Sequence, residues 1–292
     1  MRKIPENKKQ QTKQMKMRLK FMANRMLYVG IRSSFAFLLL ISFKVNGKIN
    51  PDKNSNAEFK KHTVSPGLVM AGYQGWFNAP TDGANRQWRH YERQGRFEPG
   101  FCTIDLWPDM SEYKQQYETP FKFEDGTPAT VYSPYDESSV QLHFKWMKDY
   151  GIDGVFMQRF ISEIRNKSGR SHFNKVVQSA SKSALKYDRT IAVMYDLSGI
   201  RSEEIDIVIS DWKTLMKQFG FNQRSRYSNY LFDRNRPVVA IWGIGFNDNR
   251  HYNLEDAKKL INFLKSDGGG NCSVLLGVPT YWREQGRDCV KD

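Results

Sequence analysis

Cysteine and histidine are scarce in this sequence, and their spacing suits neither a disulfide scaffold nor a metal centre. The three cysteines among 292 residues are Cys102, Cys272 and Cys289. An odd and widely separated set is not a disulfide framework, although one bridge stays open as an alternative. The five histidines include no pair four residues apart, so we expect no metal site. Cys102 and Cys272 are predicted to be small buried hydrophobic residues at strand starts.

Two motifs of cofactor and serine chemistry are also missing. No Gly-x-Ser-x-Gly segment occurs, which argues against a serine hydrolase of the nucleophile-elbow type. The glycine-rich segments GYQGW (72–76) and GIG (243–245) both lack the third glycine of a dinucleotide-binding turn. We therefore expect no nucleotide fold and no cofactor.

Excess positive charge is absent from most of the chain. The formal net charge is +14, but residues 1–47 hold eleven of the 45 Lys and Arg residues and only one of the 31 acidic residues. The remainder carries 34 basic and 30 acidic residues, or about +4. A nucleic-acid-binding domain concentrates basic residues on its binding face, so no nucleic-acid partner is expected.

The basic residues belong to an N-terminal leader. The basic stretch ends at Arg32, an eleven-residue apolar run follows at 33–43, and Val45-Asn46-Gly47 offers a cleavage site. This pattern predicts a signal peptide over residues 1–47 and export to the periplasm, cell surface or medium. The run is shorter than the roughly 20 residues of a membrane span, so no lasting anchor is expected. A basic cytoplasmic arm is the alternative. Residues 48–63 are predicted to be a linker.

Short apolar runs then alternate with amphipathic stretches. Six strands are predicted, at 68–73, 102–107, 152–160, 191–197, 238–242 and 272–278. Three helices are also predicted. One buries Val140, Phe144 and Met147 after a cap at Asp136. Another buries Ile205, Ile209, Trp212, Met216 and Phe219. The last is Leu254–Lys265, with Asn253 as its cap and Asp256 in a capping box.

This alternation predicts an α/β fold, a (β/α)8 TIM-type barrel with about six of its eight units present over residues 64–292. Strands that are apolar throughout suit a parallel sheet buried on both faces. Polar and aromatic residues follow nearly every predicted strand, as expected where a barrel builds its active face. The shortfall of two units has three explanations: missed strands, a C-terminally incomplete chain, or a partner that fills the gap.

Carboxylates and aromatic rings at these strand ends suggest work on carbohydrates. Cleavage of a glycosidic bond uses a pair of carboxyl groups, and Asp105 and Asp196 are the best-placed catalytic candidates. Indole and phenol rings stack on sugar faces. The predicted substrate-binding residues are Gln74, Trp76, Trp107, Asp109, Arg159, Tyr195, Trp242, Asn247, Tyr281 and Arg283. Helix capping, arginine pairing and ordinary packing are the alternative roles for these side chains.

Six collinear segments together resemble one group of bacterial proteins. They are GYQGWF (72–77), IDLWPD (104–109), HFKWMKDYGIDG (143–154), AVMYDLSG (192–199), AIWGIGFND (240–248) and GVPTYWR (277–283). The set resembles proteins akin to glycoside hydrolase families 71 and 99, some of which are labelled xylosidase/arabinosidase.

That resemblance implies a (β/α)8 barrel, export, and action on a polysaccharide or glycan of the α-mannoside, α-glucan or xylosidase/arabinosidase type. Related chains continue past the point where this one stops. The Glu-Trp-x-Glu-like motif of family 99 has no match here, so the resemblance transfers no catalytic residue. An inactive carbohydrate-binding barrel and a nonfunctional truncated fragment are the alternatives.

Overall fold

A computed structural model of the chain describes residues 62–224 and 229–283. The predicted signal peptide, almost all of the predicted linker, and Cys289 lie outside the described residues. Cys272 is a free thiol in the structure. Cys272 is fully buried, as predicted, and burial raises the pKa of its thiol to about 12. Cys102 is only half buried.

The described residues form a mostly parallel sheet, in which only β6 is antiparallel, with helices on one face and a small antiparallel hairpin beside it. The strands are β1 (Met70–Tyr73), β2 (Tyr117–Lys122), β3 (Pro128–Val131), β4 (Gly154–Phe160), β5 (Thr190–Asp196), β6 (Phe232–Asp233), β7 (Arg236–Trp242) and β8 (Ser273–Gly277). The α-helices are α1 (Glu137–Asp149), α2 (Ile161–Ile164), α3 (Lys167–Tyr187), α4 (Ile205–Phe219) and α5 (Leu254–Lys265).

The parallel strands follow one another across the sheet in the order in which they occur in the sequence. Strands β1, β4, β5, β7 and β8 are neighbours in the same order as in the sequence, and every one of these pairs is parallel. A doubly wound sheet reverses direction at a switch point, whereas a (β/α) barrel adds each new strand on the same side. The sheet thus has no switch point among the described strands and adds each parallel strand on the same side. Within the described residues β1 and β8 are not paired to each other, so this sheet is an open arc.

One face of the arc is closed by helices. Val155, Ile191, Val193, Val239 and Ile241 are at most 3% exposed and belong to a core shared with the helices. These residues alternate along β4, β5 and β7, as expected when every second side chain faces the same layer. The opposite face of the strands carries the intervening residues.

The predicted helices are confirmed. Val140, Phe144 and Met147 are buried on α1. Asp136 occupies the N-cap position but makes no side-chain cap, because its carboxylate accepts a hydrogen bond from the Tyr117 hydroxyl at 2.8 Å.

On α4, Ile205 and Trp212 are fully buried, while Ile209, Met216 and Phe219 are partly buried against the same core. Helix α5 has the predicted bounds, with Asn253 and Asp256 forming the predicted capping box.

Five of the six predicted strands are confirmed, and the one predicted at 102–107 is wrong. That segment is irregular. Its apolar residues Cys102, Ile104 and Trp107 pack against a separate small core around Tyr91, Phe97, Tyr117 and Val131, which lies beside the hairpin of β2 and β3. The apolar run therefore anchors a loop instead of joining the sheet.

The chain enters the described region beside β6. The backbone nitrogen of Val64 donates to the Phe232 carbonyl at 2.8 Å, and the Phe232 nitrogen donates to the His62 carbonyl at 2.9 Å. Strand β6 pairs with Arg236 and Pro237, which begin β7. The entry point is consequently at the amino-terminal end of the parallel strands.

Candidate functional site

One layer of residues crosses the carboxyl ends of four neighbouring strands. Phe160 is paired in register with Asp196, Asp196 with Trp242, and Trp242 with Gly277. The preceding residues on β4 and β5, Arg159 and Tyr195, face the helices. Because side chains alternate along a strand, Phe160, Asp196 and Trp242 share the face that the helices leave uncovered. This layer is the candidate site.

Asp196 is the carboxylate of the layer, and its orientation is held by two donors. Its Oδ2 accepts a hydrogen bond from Gln158 Nε2 at 2.8 Å, and its Oδ1 accepts one from the Ser198 backbone nitrogen at 2.8 Å. The residue is only 5% exposed. Gln158 comes from the adjacent strand β4, so the carboxylate is braced both across the sheet and by its own following turn. An oriented carboxylate is what acid–base or nucleophilic chemistry requires.

Trp242 supplies an open aromatic surface beside Asp196. The residue is 42% exposed, and its ring is tilted against Phe246 at a centroid distance of 5.6 Å. A strand-end indole with this exposure is suited to stacking on a sugar ring.

Trp76 closes the other side of the layer in a stack of three rings. Its ring centroid lies 4.2 Å from that of His90, with the planes 11° apart, and 4.8 Å from that of Phe160, with the planes 26° apart. Two nearly parallel neighbours leave little of the Trp76 faces for a ligand. Its indole Nε1 is buried and has no hydrogen-bond partner among the described residues. Trp76 thus forms a wall of the site with its faces covered by other rings, whereas the Trp242 ring is exposed and open to a ligand.

Glu163 lies three residues beyond β4. It contacts basic side chains of the loop that carries His90. Its carboxylate binds Arg86 Nη2 and Arg89 Nη2, and His90 Nε2 lies 3.5 Å from its Oε1. Its side chain is 8% exposed. Burial by itself would raise the pKa of this carboxyl. The contacts with His90 and Arg89 and the charge of Arg86 outweigh burial and lower the pKa to about 2. Glu163 is ionised at neutral pH and cannot act as a proton donor.

The loop bound by Glu163 has an unusual backbone. Asn85, Gln87, His90 and Gln94 all have φ between 53° and 61°. This left-handed region costs a residue other than glycine about 1 kcal/mol or more, and such conformations persist when surrounding contacts impose them. The ion pairs of Arg86 and Arg89 with Glu163 are contacts of this kind, whereas Gln94 lies in the Arg93–Arg96 turn, which two backbone hydrogen bonds close.

Two predicted substrate-binding residues, Arg159 and Tyr195, lie on the wrong face for that role. Both are 0% exposed. Arg159 Nε donates to Asp211 Oδ2 at 2.7 Å, and the Tyr195 hydroxyl donates to the same oxygen at 2.8 Å. Burial, followed by the charge of Asp211, raises the pKa of the Tyr195 hydroxyl well above its usual range. These side chains tie the sheet to α4, and no ligand on the open face reaches them.

Asp105 and Trp107 are also displaced from the predicted position. Both belong to the segment 102–107 that forms no strand, so the strand-end argument for them no longer applies. Asp105 is exposed on the loop. Trp107 packs in the small core, and its Nε1 donates to the Thr130 carbonyl at 2.8 Å.

Gln74 and Asp109 line a separate groove of about 640 Å³ next to β1 and α1. The groove is also lined by Tyr73, Tyr113 and His143. The hydroxyls of Tyr73 and Tyr113 bond the two ring nitrogens of His143, at 2.8 and 2.6 Å. Tyr73 lies on the same face of the sheet as the helix-facing residues, and the lining of this groove includes none of Phe160, Asp196 and Trp242.

The remaining predicted residues meet beyond β7 and β8. The Asn247 backbone nitrogen lies 3.4 Å from the Tyr281 hydroxyl, which accepts from it. The guanidinium of Arg283 lies 4.6 Å from the Trp282 ring centroid. Asn247, Tyr281 and Arg283 follow the strands that carry Trp242 and Gly277, which places them at the same end of the sheet as the layer.

Phe160, Gln158, Glu163 and His90 are not among the residues that the sequence predicts for the site. Side chains alternate between the two faces along a strand. In the pairing of β4 with β5, Gln158 and Phe160 therefore lie on the same face of the sheet as Asp196. No local signal marks His90, because a loop remote in sequence brings it to the strand end.

Among residues 62–224 and 229–283, no group of three His, Cys, Asp or Glu side chains could hold a metal ion. The absence of a metal and of a cofactor stays a prediction. In the same part of the chain, no helix is long and apolar enough to cross a membrane.

No protein-family model and no curated protein matches the chain. Among solved structures, it is similar to the GH99 endo-alpha-mannosidase from Bacteroides thetaiotaomicron, with 15% identity and a TM-score of 0.37 over 62% of this chain and 45% of that one. A second structure of that enzyme, in complex with BIS-TRIS-propane, gives 15% identity and a TM-score of 0.35 over 62% and 42%. The chain spans less than half the length of these neighbours. A likeness this distant identifies neither the family nor the activity.

Proposed function

We propose that this chain is a glycoside-hydrolase-like barrel protein that acts on glycans at the carboxyl ends of its parallel strands. The observation that carries the proposal is Asp196, a doubly hydrogen-bonded carboxylate in register between Phe160 and Trp242. Aromatic rings bind the apolar faces of sugars, and a fixed carboxylate between them can bond a hydroxyl or take part in cleavage.

Asp196 is the carboxylate to which we assign contact with the reacting sugar. Asp105 loses its assignment because its segment is not a strand. Glu163 is near the layer, but both of its oxygens are occupied by arginines and its low pKa leaves it no proton to donate. The layer itself therefore contributes one carboxylate among the described residues.

That single carboxylate favours a second candidate function, glycan binding without hydrolysis. Glycosidases use two carboxyl groups, which lie on opposite sides of the bond that is cleaved. A binding protein needs only the ring surfaces and the hydrogen-bonding groups of the layer. Both functions share the same ligand class, so they differ only in whether a product is released.

The experiment uses the full chain with oligosaccharides of α-mannan, α-1,3-glucan and arabinoxylan, the substrate types that the sequence resemblance suggests. Calorimetry measures binding, and chromatography of the incubated sugars measures cleavage. We expect one class to bind, Trp242→Ala to weaken that binding by about tenfold, and Asp196→Asn to lower any cleavage rate by at least about a hundredfold. Asp105→Asn is the matched control and should change neither.

Cleavage abolished by Asp196→Asn supports a hydrolase. Binding with no product from the parent chain supports the non-catalytic alternative. Binding and cleavage that both survive Asp196→Asn and Trp242→Ala would remove the layer from the function.

Export is a further part of the proposal. The basic segment before Arg32 and the apolar run after it favour a cleaved leader. Mass spectrometry of the protein recovered from the periplasm or medium of a bacterial host should find a new N-terminus at or near Lys48. An intact N-terminus in the cytoplasmic fraction would contradict export.

A further inference from the structure

We infer that Glu163 is a positioning residue that holds the loop of residues 85–94 against the end of β4 and thereby fixes the ring stack of His90, Trp76 and Phe160. The inference rests on the proposed function only in so far as this stack is the wall of a glycan site. Its structural core can be tested with no glycan present.

The first ground is that several side chains of the loop converge on the carboxylate of Glu163. Three side chains of one loop, Arg86, Arg89 and His90, meet a single carboxylate that is 8% exposed. Arg86 also donates from Nη1 to Asn78 Oδ1 at 3.1 Å, and Asn78 Nδ2 donates to Asp82 Oδ2 at 2.8 Å. The loop is thereby connected through Glu163 to the sheet and through Asn78 to the segment that follows Trp76.

The second ground is the backbone of the same loop. Four residues other than glycine stand in the left-handed region within residues 85–94, and His90 is one of them. A loop with this conformation relaxes when the contacts that impose it are removed. Removing the charge of Glu163, which binds Arg86 and Arg89 and whose Oε1 lies 3.5 Å from His90 Nε2, should therefore release it.

The third ground is the place of His90 in the stack. Its ring covers one face of Trp76 at 4.2 Å, and Trp76 stacks in turn on Phe160 of the site layer. Release of the loop would take His90 off Trp76 and expose the indole to water. Glu163 thus acts on the site through other residues, with no contact to a ligand of its own.

The test compares the parent chain with Glu163→Gln, which keeps the side-chain volume and removes the charge. Trypsin reports on the loop, because Arg86, Arg89 and Arg93 are its cleavage points. Loss of charge-assisted hydrogen bonds to a buried group should speed cleavage in the loop by at least about tenfold. Trp76 emission, taken as the difference from a Trp76→Phe background, should shift to longer wavelength.

Two further variants separate positioning from general instability. Tyr195→Phe removes a buried hydrogen bond that does not involve the loop, and it should leave loop cleavage at the parent rate. Arg89→Gln alters a residue whose side chain is 44% exposed, so we expect this variant to fold. It should increase cleavage after Arg86 and Arg93 by less than Glu163→Gln does. If Glu163→Gln fails to fold, the loop cleavage and Trp76 emission of Arg89→Gln decide whether the contacts with Glu163 hold the loop.

Faster loop cleavage and a shifted Trp76 emission in the Glu163 and Arg89 variants, but not in Tyr195→Phe, support the inference. Parent-like cleavage and emission in the variants that fold overturn it, as does equal acceleration in Tyr195→Phe. If the parent binds no glycan, the proposed function fails while these measurements still decide the role of Glu163. If it binds one, Glu163→Gln should raise Kd by about tenfold.

Discussion

Gly277 on β8 lies directly beside Trp242 on β7, and a β carbon at position 277 would come within 2.3 Å of Trp242 Cε3. The backbone of Trp242 would also be tight, at 3.1 Å from that carbon. Glycine at 277 is what allows the indole to lie across the end of β8 and present its other side to solvent.

Gly277→Ala should therefore displace the Trp242 ring. We expect a change in tryptophan emission that is absent in a Trp242→Phe background, together with a several-fold weaker binding of any glycan that Trp242 binds. Gly268→Ala is the control, since the nearest atom to its added carbon is 3.8 Å away. An unchanged emission spectrum in Gly277→Ala would mean that the ring does not occupy this place.

Gly169→Ala should destabilise the fold through the backbone of Glu163. The added carbon would lie 2.2 Å from the Glu163 carbonyl oxygen, and a backbone atom cannot move aside cheaply. We expect a loss of about 2 kcal/mol in the free energy of unfolding, measured with urea. Ser168→Ala, at the exposed preceding position of α3, should be neutral. Equal stabilities of the two variants would contradict the close approach of α3 to Glu163.

Asp211→Asn should reduce stability without altering ligand binding. Asp211 accepts hydrogen bonds from Arg159 and Tyr195 in the strand–helix interface, and the variant leaves a buried guanidinium without its counter-charge. Disruption of a buried ion pair costs about 3 kcal/mol. Asp149→Asn, which alters the exposed pair with Lys145, serves as the control and should unfold like the parent. A changed glycan Kd in Asp211→Asn with normal stability would return Arg159 to the binding site.

Acidification should weaken the fold through His143. Burial lowers the pKa of this histidine to about 4, below the usual value of 6.5. The unfolded chain therefore takes up a proton at higher pH than the folded one. The neutral ring between Tyr73 and Tyr113 contributes stability above pH 6.5 that is lost as the pH falls towards 4.

The melting temperature of His143→Gln, measured from pH 7.5 to 4, should fall less steeply than that of the parent. Gln keeps a donor and an acceptor for the two tyrosines but does not titrate. His172, whose pKa burial also lowers to about 4, remains in both proteins and gives them a shared residual slope. Parallel curves for the two proteins would contradict the assignment.

Local signals were sufficient for α1, α4 and α5 and for the five parallel strands, whereas α2, α3 and strands β2, β3 and β6 were not predicted. Asn253 and Asp256 specify the start of α5 through hydrogen bonds to its first turn, and the structure has that box. The parallel strands are recognisable because burial on both faces demands apolar residues throughout. The segment 102–107 has the same composition for a different reason, since a loop that anchors a small core also needs apolar side chains. Composition does not distinguish these two environments.

The site was predictable only in part, because a shift of one residue reverses the face of a strand. Tyr195 and Asp196 are adjacent at the end of β5, yet Tyr195 is buried against α4 and Asp196 belongs to the open face. The sequence identifies the end of the strand but does not state which of two adjacent side chains faces the helices. The contribution of His90 is harder still, because it depends on contacts across more than 70 residues between a loop and Glu163.

The attachment of residues 62–64 to Phe232 has a practical consequence. The chain joins the sheet at the amino-terminal pole of the parallel strands, whereas Asp196 and Trp242 lie at the carboxyl pole. A tag, carrier protein or solid support joined directly to His62 in place of residues 1–61 would thus be attached on the far side of the described sheet from the site. Protein immobilised in this way would present its carboxyl pole to dissolved polysaccharide.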